Sequence, residues 1–265
     1  MKTMRSVASL LAGSILTFAL PCVTQAEDSN SIRACPADSV KVGNICVDKY
    51  EASVWSTTDA ELIAKIQSGS ATVIDLRTAT QETIVYTCDV TGQACTGTQS
   101  TNEYAASVVG VIPAVAPTWF QAQQFCMASG KRLLTNAEWQ AAAAGTPDGA
   151  TGTCVVNASA VATTSSMPAC VSNTGVYDMV GNVWEWVADW VPAANSCSGS
   201  LSGTSNTNCM TIDPTRPAVP GPAALIRGGG FFDGAAAGVF AIAGILSPSE
   251  VLNFFPFSVG FRCAR

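Results

Sequence analysis

The sequence predicts an α+β domain with two helices, short antiparallel strands and long disulfide-stapled loops. Three observations predict it. Residues 117–145 carry two helical segments with their own start and stop signals. Short β-rich pieces lie before and after them. Eleven cysteines, with no His anywhere, are spread in near pairs through Gly-, Ser- and Thr-rich stretches.

The chain opens on a targeting segment. Lys2 and Arg5 precede the apolar VASLLAGSILTFAL, and Ala26 offers a small residue at the cut. Residues 1–26 are therefore read as a signal peptide and 27–265 as one exported domain, whether periplasmic, surface-bound or secreted. The apolar run is short for a spanning helix, which needs about 20 residues, so no transmembrane segment is expected after cleavage. Cys22 keeps a lipid anchor open as the alternative, although Pro21 fits such a site poorly. Without Cys22, ten of the eleven cysteines remain. Proximity pairs Cys35 with Cys46, Cys88 with Cys95, Cys154 with Cys170 and Cys197 with Cys209. Cys126 and Cys263 are then left for each other. Metal binding is the other use of so many thiols, but the chain has neither a tight C-x-x-C nor a histidine.

ACPADSVKVGNICVDKYEASVW, at residues 34–55, reads as strand, turn at Gly43–Asn44, and strand. Residues 56–115 read as loop-rich, with β-rich pieces in ATVIDL and TIVYTCDV. The first helix starts at Pro117 or Thr118 and stops at Gly130, with Phe120, Gln124 and Ala128 on one face. Thr135 and Glu138 form a capping box for the second, which ends near Gly145 and Pro147. Residues 146–176 and 191–222 read as long stapled loops. Between them the Trp-dense NTGVYDMVGNVWEWVADW supplies core, with Trp184, Trp186 and Trp190 facing inward.

Composition narrows function. Charged residues make up 12% of the chain, the net charge is −6, and no basic run exists. A nucleic-acid surface is therefore not expected. The absence of His removes the commonest general base near neutral pH and excludes Ser–His or Cys–His nucleophile pairs.

Three motifs occur in order: GKRLLTNAEWQAAAAG, GVYDMVGNVWEWVADW, and LIRGGGF followed by VGFRCAR. Together they resemble the formylglycine-generating enzyme (sulfatase-modifying factor) family. The resemblance covers about Cys35 to Arg265 and implies a C-type-lectin-like fold. In that family's enzymes a cysteine pair follows R-G-G; the matching positions here are Asp233 and Gly238, so no thiol copper site is implied. The family's calcium-binding loop matches D-M-V-G-N-V-W-E. That match implies a structural Ca²⁺ held by Asp178 and Glu185 and by the carbonyls of Gly181 and Val183. Pairing of these acids with Arg is the alternative. Arg132 and Arg262 are read as buried fold determinants, with Glu138 and Asp189 as partners.

The tail is most similar to the target proteins of diversity-generating retroelements. Its frame reads RGG, AGVFAI, SPS and VGFRC. In that branch, mutagenesis of adenines rewrites Asn codons, which can become Phe, Ile, Leu, Val, Ala, Gly, Asp, Ser or Pro. The resemblance implies a variable ligand-binding segment over 227–265, displayed by Phe231, Phe232, Asp233, Ala236, Ala243, Gly244, Ile245, Leu246, Leu252, Asn253, Phe254, Phe255, Phe257 and Ser258. Glu250 lies outside that outcome set and is read as fixed. Asp233 and Asn253 would offer directional bonds to a protein or cell-surface ligand, and Val239–Ile242 would be core. Without the frame, composition would place these Phe residues in the core. The resulting expectation is a non-catalytic binding protein with no catalytic cofactor. A divergent or inactive formylglycine-generating-enzyme-like protein is the alternative. A calcium-dependent sugar-binding module is disfavoured, since no carboxylate–amide sugar motif is evident.

Overall fold

Residues 39–48 form the expected hairpin. β1 (Ser39–Val42) and β2 (Ile45–Asp48) pair antiparallel around Gly43, whose φ of 59° suits a residue without Cβ. The structure, a computed structural model, describes residues 34–83, 102–192, 208–209, 222–249 and 259–265. The expected signal peptide lies outside these.

After β3 (Ser53–Ser56) come two helices in the stretch expected to be loop. α1 (Ala60–Ser68) is capped by the Asp59 carboxylate, which accepts from the Glu61 and Leu62 amides, and it stops at Gly69 with φ 70°. α2 (Val73–Leu76) carries a capping box of Thr72 and Asp75. The described residues thus hold four α-helices, and the expectation of two is corrected. ATVIDL reads as strand because Val and Ile favour sheets. Locally, Thr72 and Asp75 satisfy first-turn amides, and that wins.

β4 (Thr80–Glu82) and β5 (Glu103–Ala106) flank β3 in a three-stranded antiparallel sheet. α3 (Trp119–Ala128) and α4 (Asn136–Ala142) lie where expected, each opened by a capping box, with β6 (Arg132–Leu133) between them. α3 buries Ala122, Phe125 and Cys126, while Phe120 on its other face is 52% exposed. Next come β7 (Trp184–Pro192), β8 (Asn208–Cys209), β9 (Pro222–Gly228), β10 (Gly238–Leu246), β11 (Val259–Phe261) and β12 (Cys263–Ala264).

One sheet has the order β1-β2-β12-β6, so the C-terminal strand closes against the N-terminal hairpin. The largest has the order β11-β7-β9-β10-β8. Within it β11 runs parallel to β7 and β8 parallel to β10, so the strands are not all antiparallel, and β7 and β10 are not short. Phe125, Leu133, Trp186, Ile226 and Phe261 fill the core between these layers. Trp190 corrects its expectation. It is 42% exposed and packs edge-on against Trp119 and Phe120.

Three disulfides match the expected pairs: Cys35–Cys46, Cys126–Cys263 and Cys154–Cys170. The second ties α3 to β12 across 137 residues of sequence, the long-loop case in which a crosslink constrains the unfolded chain most. The expected pairs Cys88–Cys95 and Cys197–Cys209 involve residues outside the described ones.

Candidate functional site

The tail enters the site through β9, which ends in Arg227-Gly228. Gly228 and Gly229 have φ of 93° and 87°. A Cβ on Gly229 would lie 2.5 Å from that of Ala237, and one on Gly228 would lie 3.0 Å from the Met179 carbonyl. Only glycine permits this reversal at such close approach. Arg227 is buried and donates to the Ala241 and Val239 carbonyls at 3.0 and 2.9 Å, fastening β10 beside β9. Its guanidinium also donates to the side-chain oxygens of Asn136 and Gln140 on α4 and lies 4.4 Å over the Trp139 ring. Burial pushes its pKa down to about 10, so it stays charged near neutral pH.

The chain then turns through residues 230–237. Phe231 donates its amide to the Asn182 carbonyl, and its own carbonyl accepts from Ala158 at 2.7 Å. The Gly234 amide donates to the Val156 carbonyl at 2.7 Å. Asp233 Oδ2 accepts from Trp184 Nε1 and from the Gly230 amide, at 2.8 and 2.7 Å. The opposing wall, residues 155–158, is stapled at its base by Cys154–Cys170. Within the turn, Phe231 and Phe232 meet edge to face, with ring centroids 4.9 Å apart. Phe231 is half-buried and Phe232 is 46% exposed.

Residues expected to act together are thus divided. Phe231, Phe232, Asp233 and Ala236 share the turn. Ala243 and Leu246 do not join them: each is 2% exposed and belongs to the core cluster. Gly244 is also buried, and a Cβ there would lie 2.7 Å from Val191 Cγ2. Their expected role in display is corrected, because Ala243 and Leu246 pack into the core cluster that includes Trp186 and Ile226, and Gly244 has no room for a side chain. Conversely Phe240, expected within a core strand, is 49% exposed. The Ile245 side chain and residues Leu252, Asn253, Phe254, Phe255, Phe257 and Ser258 lie outside the described ones.

The expected calcium loop is built differently from a metal cage. Both Glu185 oxygens are engaged. Arg262 Nη2 and Nε donate to them at 2.7–3.2 Å, and Trp139 Nε1 donates to Oε2 at 2.8 Å. Arg262 also donates to the carbonyls of Tyr177 and Asp48. A guanidinium and an indole thus take up the Glu185 carboxylate, which does not fit Glu185 as a ligand in the expected set with Asp178, Gly181 and Val183. Asp178 accepts instead from the Ser165 amide at 2.6 Å.

Sequence reasoning missed two residues that meet at this loop, one of them far away in sequence. Asn182, at φ 54°, donates to Glu51 and to the Ala162 carbonyl and accepts from the Ala162 amide. Glu51 is fully buried and also accepts from the Val183 amide. Burial, then the charges of Asp178 and Glu185, raise the Glu51 pKa well above the carboxylate range. Burial likewise raises Asp178 to about 6. The Asn in GNVWEW, a residue that tolerates positive φ, is the one sequence signal that could have found this. Of the expected arginine partners, Glu138 does pair with Arg132, at 2.7 Å, but Arg132 is a surface residue. Asp189 accepts from the Asn136 amide instead, and Glu185 takes its place at Arg262.

The arrangement offers a fixed, hydrogen-bonded turn bearing apolar side chains. Asp233 and Gly238, where thiols would be needed, provide none, and every described cysteine with a placed side chain is in a disulfide.

Known proteins resemble the chain in part. A formylglycine-generating enzyme of Thermomonospora curvata is 32% identical over 152 residues, covering 45% of this chain and 44% of that protein. The inactive Cα-formylglycine-generating enzyme 2 of Bos taurus is 31% identical over 123 residues, covering 35% of this chain and 38% of that protein. The chain thus spans less than half the length of either. Among solved structures, the I1 variant of the Major Tropism Determinant superposes with a TM-score of 0.50 at 19% identity, over 86% of this chain and 52% of that one. This likeness concerns the fold, which is C-type-lectin-like. The sulfatase-modifying factor enzyme 1-like domain matches residues 19–265, and the chain belongs to that family.

Proposed function

We propose that this chain is a non-catalytic, exported ligand-binding protein whose tail is diversified by a retroelement and displayed on a fixed scaffold. The turn at 230–237 carries this reading. Its backbone is bonded to Val156, Ala158 and Asn182, all outside the tail, while Phe232 stands exposed with the half-buried Phe231 beneath it. Stiff aromatic side chains bury much area on contact at low entropic cost, which suits a binding surface. The three disulfides support an oxidising compartment. The partner is a protein or cell-surface ligand with an apolar patch.

Deep sequencing of this gene across a natural population tests the reading. Substitutions should gather at Phe231, Phe232 and Leu252–Ser258, with the R-G-G and G-F-R frames constant. The burial of β10 adds the expectation that Gly244 stays constant, Ala243 stays small and Leu246 stays apolar. A tail as invariant as Trp184–Trp186 would end the proposal. The alternative, a divergent formylglycine-generating enzyme, draws on the 32% identical relative. Copper-dependent conversion of a cysteine-containing peptide would establish it.

A further inference from the structure

Asp233 was expected to face a ligand, yet its bonds turn inward. Oδ2 binds Trp184 Nε1 and the Gly230 amide, and the Asp233 amide donates back to the Gly230 carbonyl at 3.2 Å. The Ala236 amide donates to the Asp233 carbonyl, opening the short 3-10 turn Gly234–Ala236. Position 233 therefore closes the loop at both ends. Trp184, its indole partner, is buried at the start of β7 and is not a tail residue. Within residues 230–237 the Asp233 carboxylate reaches the scaffold as a side chain, whereas the bonds to Val156, Ala158 and Asn182 are made by backbone groups.

We infer that Asp233 is a positioning residue. Its carboxylate locks the turn carrying Phe231 and Phe232 to the fixed Trp184, so a display-competent turn needs an acceptor side chain at 233. The inference rests on the binding surface proposed above and deepens it. Within a segment otherwise free to vary, 233 is constrained by its hydrogen-bond role. Asn and Asp, which share one shape and each present an acceptor oxygen, satisfy it; Ala, Val and Phe do not. Losing the acceptor leaves the Trp184 N–H and the Gly230 amide without this partner, in a place water reaches poorly.

The test needs no ligand, so its failure is distinguishable from failure of the diversification reading. The Trp184 indole N–H signal is followed by nuclear magnetic resonance in the wild type, Asp233→Asn and Asp233→Ala, together with amide exchange. In the wild type the indole signal should titrate with a midpoint raised from the ordinary Asp value, since burial raises the Asp233 pKa. Asp233→Asn should abolish the titration and keep slow exchange at Phe231, Ala158 and Gly234. Asp233→Ala should speed exchange at those three amides about tenfold or more while Val47 and Phe261 stay protected. Unchanged exchange in Asp233→Ala overturns the inference. If that variant does not fold, an indole signal in the wild type that ignores pH overturns it equally.

Discussion

Arg227 and Arg262 bracket the tail, and both are buried, but the fold neutralises them in opposite ways. Arg227 has neutral company: two carbonyls, two amide side chains and the face of Trp139. Arg262 lies among acids, bonded to Glu185 with Glu51 and Asp178 nearby. Trp139 touches both centres, its N–H on Glu185 and its ring under Arg227. The difference separates two tasks. Arg262 holds together segments distant in sequence, Asp48, Tyr177 and Glu185. Arg227 only fastens the base of the display turn to α4 and β10. Arg262→Met should therefore have the largest effect, about 3–5 kcal/mol lost, because buried carboxylates remain without their cation. Urea unfolding at pH 7 measures it. A loss as small as that for Arg227→Met would remove the distinction.

The acid surplus around Arg262 gives this centre a pH signature that Arg227 lacks. Asp178 has a folded pKa of about 6, above the unfolded value of about 3.9. A carboxylate raised in this way binds its proton more tightly in the folded state. Its stabilising contribution is fully present below the unfolded pKa and is lost as pH rises through the folded one. Glu51, and Asp48 at about 6, shift in the same direction. Stability should thus rise as pH falls from about 7 to about 5. At lower pH, Glu138, held down to about 2 by Arg132, and Asp38, held down by Lys131 and Arg265, lose their contributions. Asp178→Asn should flatten the rise and add about 1–3 kcal/mol at pH 7. Asn tolerates the φ of 59° at 178 and still accepts from Ser165. Melting temperature against pH for both proteins shows whether the sign is right.

Arg227→Met should cost less, about 1–2 kcal/mol, because it removes bonds to neutral acceptors and a cation–π contact without orphaning a charge. That cost should not vary between about pH 5 and 8, since the folded pKa of Arg227 is about 10. Faster amide exchange should be confined to β10 and the 230–237 turn. If it spreads to β1 and β2, Arg227 carries more of the fold than its partners imply.

What the sequence revealed follows the range of the interactions. Capping boxes are local, so α3 and α4 were legible from Thr118, Thr135 and Glu138. Thr72 and Asp75 form such a box too, but the Val–Ile pair in ATVIDL masks that signal, and Asp59 caps α1 with no reciprocal acid to reveal it. The three described disulfides followed from proximity and elimination. The Glu185–Arg262 pair spans 77 residues; pairing of Glu185 with an Arg is legible as the alternative to calcium, but two acids four residues apart, Glu185 and Asp189, look alike as partners until the strand places one inside. Within the tail, the frame located the turn. GVFAIAGIL could not show which positions face inward, because apolar residues occupy both sides of β10. Only packing against residues such as Trp186 and Ile226, far away in sequence, buries Ala243 and Leu246.

The smallest effects belong to the expected calcium loop and to the outer ring of the display turn. A chelator should leave the melting temperature unchanged, because Arg262 already neutralises Glu185. A clear drop, restored by Ca²⁺, would mean that the metal adds what the guanidinium does not. Phe232→Ala should change stability by no more than about 0.5 kcal/mol, as expected for a surface residue away from caps and buried charges. Its consequence should appear in binding alone. The edge-to-face contact with Phe231 is retained only if both rings stay, so Phe231→Ala should cost more than Phe232→Ala, because Phe231 is the more buried of the two. Unfolding measurements on the two variants compare the inner ring with the outer one. Equal and large losses would place both phenylalanines in the core and end the case for a displayed pair.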